Sequence, residues 1–159
     1  MAAADAPPNA GVRFPPPVLY LLGLVAGFIA ERYRPLPMTT GQSLARTVVA
    51  VLAIAAALLL AVSAISLFRR AGTSLIPNKP SAAFVTAGPY RLTRNPMYVS
   101  LVALYLGLTL VTNSWWPLLF LPVVVLLIDR LVIAREERYL RSAFPVEYGA
   151  YSARVRRWL

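Results

Sequence analysis

From Thr47 to Phe68 the chain carries no charged side chain, and a run of that length, at about 20 residues or more, crosses a bilayer. Such a segment is otherwise tolerable only at the centre of a large soluble core. Here 58% of 159 residues are hydrophobic and the mean hydropathy is +0.64, whereas a soluble domain is usually about 45–50% apolar. Three more apolar runs accompany the first: Val18–Ala30, Met97–Thr112 and Trp115–Ala134. The expected fold is therefore an all-α integral membrane protein with about four transmembrane helices. The last two runs are separated only by Asn113 and Ser114 and should form a helical hairpin, with Pro117 and Pro122 as kink sites. Gly23 and Gly27 form a GxxxG pattern, and Ala50, Ala53, Ala57, Ala61 and Ala64 line one side of the second run. Small residues in such patterns let helices approach closely in lipid.

A single membrane domain is expected over residues 1–159: a disordered lead-in (1–17), two N-terminal spans (18–68) and a functional core (69–159). The lead-in has no signal-peptide n-region. Net charge is +10, but the arginines flank apolar runs rather than cover a soluble face. They fit anionic lipid headgroups and topology, with no nucleic-acid partner. With the N-terminus inside, the inner segments hold twelve positive residues and the outer segments only Arg32, Arg34 and Arg46. Both termini and the polar stretch Arg69–Asn95 are thus expected on the cytoplasmic side of a membrane, the inner membrane if the source is bacterial. Trp115 and Trp116 read as an interfacial belt at the outer turn. The chain has no Cys, which excludes disulfide and thiolate chemistry. It also has no His, which removes the commonest general base and metal ligand, and no metal is expected.

The stretch GPYRLTRNPMY (Gly88–Tyr98) interrupts the apolar runs. Asn95 followed by Pro96 is a good helix start, and Arg94 and Tyr98 could serve only as interfacial anchors. A helix N-terminus also offers free N–H groups to an anion, and Arg91 and Arg94 would add charge-assisted donors. Gly88 before Pro89 and Tyr90 implies a tight turn whose backbone can approach a ligand. On a helical wheel counted from Asp129, Glu136 falls near −20°, on the apolar stripe with Ile133 and Leu140, while Glu137 falls near 80°, at its edge. Asp129 lies deeper on the same stripe, and Arg94 or Arg91 could pair with these carboxylates. Glu137 has Arg141 four residues on, a favourable exposed pair. Glu136 has no basic residue at i+3 or i+4, and a carboxylate on such a stripe usually marks function. After Pro145, the residues Tyr148, Tyr151, Val155 and Trp158 recur at helical spacing. They read as the face of a cytoplasmic amphipathic C-terminal helix, or as a lid over a ligand.

The order GPYRLTRNPMY, helical hairpin, Glu136-Glu137-x-x-Leu140 and FPVEYGAYSARVRRW resembles the isoprenylcysteine carboxyl methyltransferase and phospholipid methyltransferase superfamily. The likeness extends over Phe68–Trp158 and includes GTSLIPNKP (Gly72–Pro80). It implies an integral-membrane enzyme that uses S-adenosylmethionine. The acceptor would be lipophilic and enter from the bilayer: the carboxylate of a prenylcysteine-like molecule, or a lipid headgroup amine. The resemblance places Arg94, Asn95, Pro96 and Tyr98 on the family's Arg-His-Pro-x-Tyr motif and Glu136 and Glu137 on its paired glutamates, both lining the cofactor pocket. Gly88, Pro89, Tyr90, Arg91, Tyr148 and Tyr151 complete the expected cofactor-binding set, with Glu136, Asn95 and Arg94 as the catalytic candidates. Asn95 stands where the family has His, which removes imidazole proton transfer, and Arg156 stands where it has Pro. Two other classes fit less well. A sterol-reductase-like enzyme using NADPH would need further spans, and a non-catalytic scaffold or transporter subunit leaves Glu136 and the Arg91–Arg94 cluster without a purpose.

Overall fold

The computed structural model describes residues 10–12, 14–72 and 84–159. Expectations placed on 1–9, on Arg13, and on 73–83 with Lys79 and most of GTSLIPNKP lie outside the described residues. Among the described residues six helices follow in order: α1 (Pro17–Tyr33), α2 (Leu44–Arg70), α3 (Pro96–Thr112), α4 (Trp115–Ile128), α5 (Ala134–Ala143) and α6 (Pro145–Ser152). A 3-10 turn at Gly88–Arg91 precedes α3, and a π-helical turn, Asp129–Ile133, joins α4 to α5. Among the described residues, pairing of β type is limited to an isolated bridge between Pro37 and Ser114.

α1, α2 and α3 each outrun their apolar runs, and α4 gives way to a π turn inside its own. α1 begins on Pro17 and continues past Ala30 through Glu31 and Arg32, because charged residues with good helix propensity end an apolar run without ending a helix. The hydroxyl of Ser43 accepts the Arg46 N–H at 3.3 Å and caps the start of α2. Its far end closes on Arg69 and Arg70, where the helix dipole favours cations. Leu44–Arg70 and the continuous helical stretch Trp115–Ala143 are long and apolar enough to cross a membrane, and Pro96–Thr112 is apolar but shorter. Pro117 falls in the first turn of α4, where its missing N–H costs nothing, and Pro122 stands inside that helix.

The described residues divide into two compact units. One contains Pro15–Leu59 and Tyr98–Ile128, and the other contains Leu60–Met97 and Asp129–Leu159 with the described part of the first fourteen residues. In the first, α1 lies directly on α4. A Cβ at Gly23 would sit 2.5 Å from a Val124 methyl, and one at Gly27 would sit 2.6–2.8 Å from the ring and backbone of Pro117. The GxxxG pattern therefore does what its spacing implies. Gly107 on α3 plays the same part against α2, where a Cβ would meet Ile54 at 2.5 Å and the Ala50 carbonyl at 3.2 Å. Ala50, Ala57 and Ala64 are fully buried and Ala53 and Ala61 half-buried, so the alanine face of α2 is the packed one. Leu52, Leu59 and Val62 on its other side are exposed.

The α1–α2 connection and the α3–α4 turn are laced together. Asn113 takes a left-handed conformation (φ 53°), which Asn tolerates better than most residues. Its side chain accepts the Thr39 N–H at 3.0 Å and donates to the Thr39 carbonyl at 2.9 Å. The Glu31 carboxylate accepts the Ser114 hydroxyl at 2.6 Å and the Leu36 N–H at 3.0 Å. Trp116 donates its indole N–H to the Arg34 carbonyl at 2.7 Å, so it is a tie across the two loops.

Overpacking at a closed helix contact costs about 1–3 kcal/mol. Gly27→Ala should lower stability in detergent by that order and the unfolding midpoint with it, whereas Gly149→Ala on α6, whose new Cβ meets nothing within 4 Å, should leave the midpoint unchanged or raise it. Equal midpoints for the two variants would contradict the α1–α4 packing.

Candidate functional site

Within the unit formed by Leu60–Met97 and Asp129–Leu159, Gly88 opens the 3-10 turn at φ +59°, a region that an L side chain rarely adopts. Its close neighbour is Leu67, which a Cβ would meet at 2.8 Å. The Pro89 carbonyl closes the turn by accepting the Leu92 and Thr93 N–H groups at 3.1 and 3.3 Å. Tyr90 is buried, its ring 5.5 Å from that of Phe68, and its carbonyl accepts the Tyr151 hydroxyl at 2.7 Å. Arg91 is exposed. Asn95 and Pro96 are buried at the start of α3, where the Asn95 N–H donates to the Thr93 hydroxyl at 3.2 Å. Tyr98 belongs to the other unit, and there its carbonyl accepts the Tyr20 hydroxyl at 3.4 Å.

The paired glutamates exchange the positions expected of them. Glu137, not Glu136, is the buried member, with its side chain 6% exposed, while Glu136 is half-buried. The cause is the turn Asp129–Ile133. A π turn closes i→i+5 bonds and holds about one residue more than an α turn, which sets the wheel back by roughly 100°. Glu137 then takes the angle, near −20°, that an unbroken α-helix assigns to Glu136.

Burial of Glu137 requires counter-charge, and three guanidinium groups supply it. Arg94 reaches it at 3.1 Å and Arg141 at 3.6 Å, the latter being the expected i,i+4 pair. Arg157 grips it with two donors, Nε to Oε1 at 3.1 Å and Nη2 to Oε2 at 2.6 Å. The same guanidinium places Nη1 3.3 Å from both oxygens of Asp129, which also accepts the Trp158 indole N–H at 3.2 Å. Arg94 donates further to the Tyr148 hydroxyl at 3.3 Å, and its Nε is buried with no hydrogen-bond partner among the described residues.

The stripe Tyr148, Tyr151, Val155 and Trp158 is not one helix. α5 stops at Ala143 and α6 at Ser152, and the chain then turns through Ala153–Val155. The tail is held instead by residues 93–95. The Arg156 carbonyl accepts the Arg94 N–H at 2.8 Å, and the Arg157 carbonyl accepts the Thr93 hydroxyl at 3.1 Å and the Asn95 side-chain amide at 2.9 Å. Tyr148 and Tyr151 are buried in an aromatic cluster centred on Phe84, whose ring lies 5.3 Å from Tyr151, 5.8 Å from Tyr148 and 5.6 Å from Phe144. Sequence reasoning missed Phe84, Thr93 and Arg157. Phe84 and Thr93 carry no pattern, and Arg157 is one of fifteen arginines.

Burial pushes the Tyr151 phenol up to about 12, with the nearby Tyr148 adding to the effect and Arg94 opposing it. Tyr90 is raised by burial first, then by Tyr151 and by the negative field of Glu136, so the Glu136 carboxylate acts on this cluster. Burial and Glu137 raise Tyr148 against the hydrogen bond and charge of Arg94. The hydrogen bond to Glu137 raises Arg157 further, against the opposing effect of burial.

Residues 45–147 match the family model described as phospholipid methyltransferase. An uncharacterized protein of Haemophilus influenzae is 43% identical over 63 residues, which is 40% of this chain and all of that protein. The cobalt-zinc-cadmium resistance protein CzcN of Cupriavidus metallidurans is 38% identical over 80 residues, half of this chain but only 37% of that protein. No solved structure matches the chain. Among the described residues there is no group of three or more potential metal-ligating side chains.

Removing one partner of a buried ion pair costs about 3–5 kcal/mol, so Glu137→Gln should lower stability by that order in a denaturant titration, and Glu136→Gln far less. The raised tyrosines favour the protonated phenol in the fold. Their stabilising effect is complete below pH 10, the ordinary phenol value, and is lost as pH climbs from 10 through the folded value of about 12 for Tyr151. Unfolding midpoints should hold steady from pH 8 to 10 and fall at pH 11. Tyr151→Phe should soften that fall, and an unchanged slope would show that Tyr151 does not carry it.

Proposed function

Because the chain belongs to the phospholipid methyltransferase family, we propose that it transfers the methyl group of S-adenosylmethionine to a lipophilic acceptor at the membrane. The observation that carries this reading is the Arg94 Nε, a buried cationic donor without a partner among the described residues, in the unit that also holds Glu136 and the tyrosine cluster. A buried donor of this kind is costly unless a ligand satisfies it, and a carboxylate is the acceptor a guanidinium matches best. These residues fit an amino-acid nucleoside. Arg94 would hold its carboxylate, Glu136 would accept from its ammonium or hydroxyl groups, and Tyr90, Tyr148 and Tyr151 with Phe84 would shelter the neighbourhood from water. Glu137 is committed to its guanidinium groups and serves as a support.

Bound S-adenosylmethionine supplies a methyl group on a sulfonium, which a nucleophile accepts in line. Holding the reactants in register and excluding water are what the protein must contribute. Asn95 cannot relay a proton, since its amide does not titrate and its NH2 donates to a backbone carbonyl. A carboxylate acceptor needs no base; with an amine acceptor such as a lipid headgroup, Glu136 or the exposed Glu147 would take the proton. We read α1–α4 as four crossings with both termini and this site cytoplasmic. In support, α2 and the stretch Trp115–Ala143 are long and apolar enough to cross, α1 and α3 at 17 residues each reach the lower end of the range of about 17–25 residues for a span, and positive charge is concentrated on that side.

Calorimetric titration of the detergent-purified protein with S-adenosylhomocysteine should give saturable binding, and NADPH should give none. The reverse result would replace the methyltransferase reading with a reductase-like one. Glu136→Gln should weaken S-adenosylhomocysteine binding about tenfold or more, about 1.4 kcal/mol, with the unfolding midpoint lowered far less than in Glu137→Gln. Wild-type affinity in that variant would remove Glu136 from the site. Transfer of a radiolabelled methyl group into a lipid extract identifies the acceptor.

A further inference from the structure

The segments that carry the candidate ligand groups are residues 93–95 and the stretch Asp129–Glu137, and one residue joins them. The Arg157 guanidinium bridges Glu137 and Asp129 through three nitrogens, and its own carbonyl is held by Thr93 and Asn95. Only a planar group with several fixed donors makes such a bridge, so lysine is no substitute. Glu137 Oε1 is shared between Arg157 Nε and Arg94 Nη1, both at 3.1 Å. Without Arg157, the Glu137 carboxylate has Arg94 as its remaining shielded counter-charge, because the Arg141 side chain is 62% exposed and screened by water. The Arg94 guanidinium would then turn to cover both oxygens and lose the orientation of its Nε.

We propose that Arg157 is a positioning residue for the cofactor site, and that Asn95 acts as the donor that holds the Arg157 backbone in place rather than as a proton carrier. This rests on the methyltransferase reading for its effect on cofactor affinity, while the docking of the tail stands independently of it. The carbonyl of Arg157 only accepts, so residue 95 must donate. Asparagine does so, a histidine ring N–H could, and an aspartate would place a negative charge against the carbonyl.

Trp158 reports the docked state, because its indole N–H is bonded to Asp129. The full chain labelled with 5-fluorotryptophan should show a Trp158 resonance, assigned by Trp158→Phe, away from the position of free tryptophan. Arg157→Ala and Asn95→Asp should move that resonance toward the free position. Both should weaken S-adenosylhomocysteine binding about tenfold or more and raise the KM for S-adenosylmethionine without changing that for the lipid acceptor. Asn95→His should keep the docked resonance and near wild-type affinity, and the exposed Arg138→Ala should alter neither. If Arg157→Ala does not fold, Arg157→Lys makes the same test, since it keeps the charge and loses the fork. Wild-type cofactor affinity in folded Arg157→Ala or Arg157→Lys overturns the positioning role. An unmoved Trp158 resonance in Asn95→Asp overturns the role of Asn95. Absence of S-adenosylhomocysteine binding to the wild type overturns the methyltransferase reading instead, and the fluorine resonances then still decide whether Asn95 holds the tail.

Discussion

A carboxylate that is 6% exposed on a short helix sets the terms for half of this molecule. Removing an ion from water costs several kcal/mol even after relaxation, and the cost is recovered only with close counter-charge and satisfied oxygens. Glu137 obtains both from groups distant in sequence: Arg94 from just before α3, and Arg157 from the end of the chain. Much else follows from meeting that requirement. The tail must return after α6 and residues 93–95 must present donors to its carbonyls. Asp129 must lie where the third guanidinium nitrogen can reach it, and the tyrosines of α6 pack beneath Phe84 as the tail passes. Around the buried Glu137 carboxylate stand the partly buried Arg94, Arg157 and Asp129 and the exposed Arg141, so each carboxylate in the cluster has a guanidinium group against it.

Much of the helical architecture was legible in the sequence because its cause is local. Long apolar runs, prolines at helix starts and the Asn113–Ser114 break are signals that tertiary structure does not overrule. Gly23 and Gly27 announced a close contact, because positions without a side chain, one helical turn apart, let Val124 and Pro117 of another helix approach the backbone. The pairing of Arg94 with a carboxylate and of Glu137 with Arg141 was legible too, from charge and spacing.

What the sequence hid was phase and long-range hydrogen bonding. The residues of Asp129–Ile133 carry no composition that distinguishes a π turn from an α turn, and a wheel advanced at constant pitch therefore assigned the buried place to Glu136. The tail failed for a different reason. Tyr148, Tyr151, Val155 and Trp158 keep a helical period, but α6 ends at Ser152, and the carbonyls of Arg156 and Arg157 accept from Arg94, Thr93 and Asn95. A local period carries no record of partners about sixty residues away. Asn95 shows the same limit at a single residue: its type fits a helix cap, and its side-chain donor is used on the tail.

The π turn also bears on how relatives are compared. Two chains can carry the same adjacent glutamates in the same column of an alignment and still present opposite members of the pair to the interior. What decides between them is whether the turn a few residues upstream holds one residue more or less. Placing a gap there, a choice with little weight in any scoring of similarity, exchanges the supporting carboxylate for the outward one. In this chain the turn at Asp129–Ile133 decides the matter, and it gives the interior to Glu137.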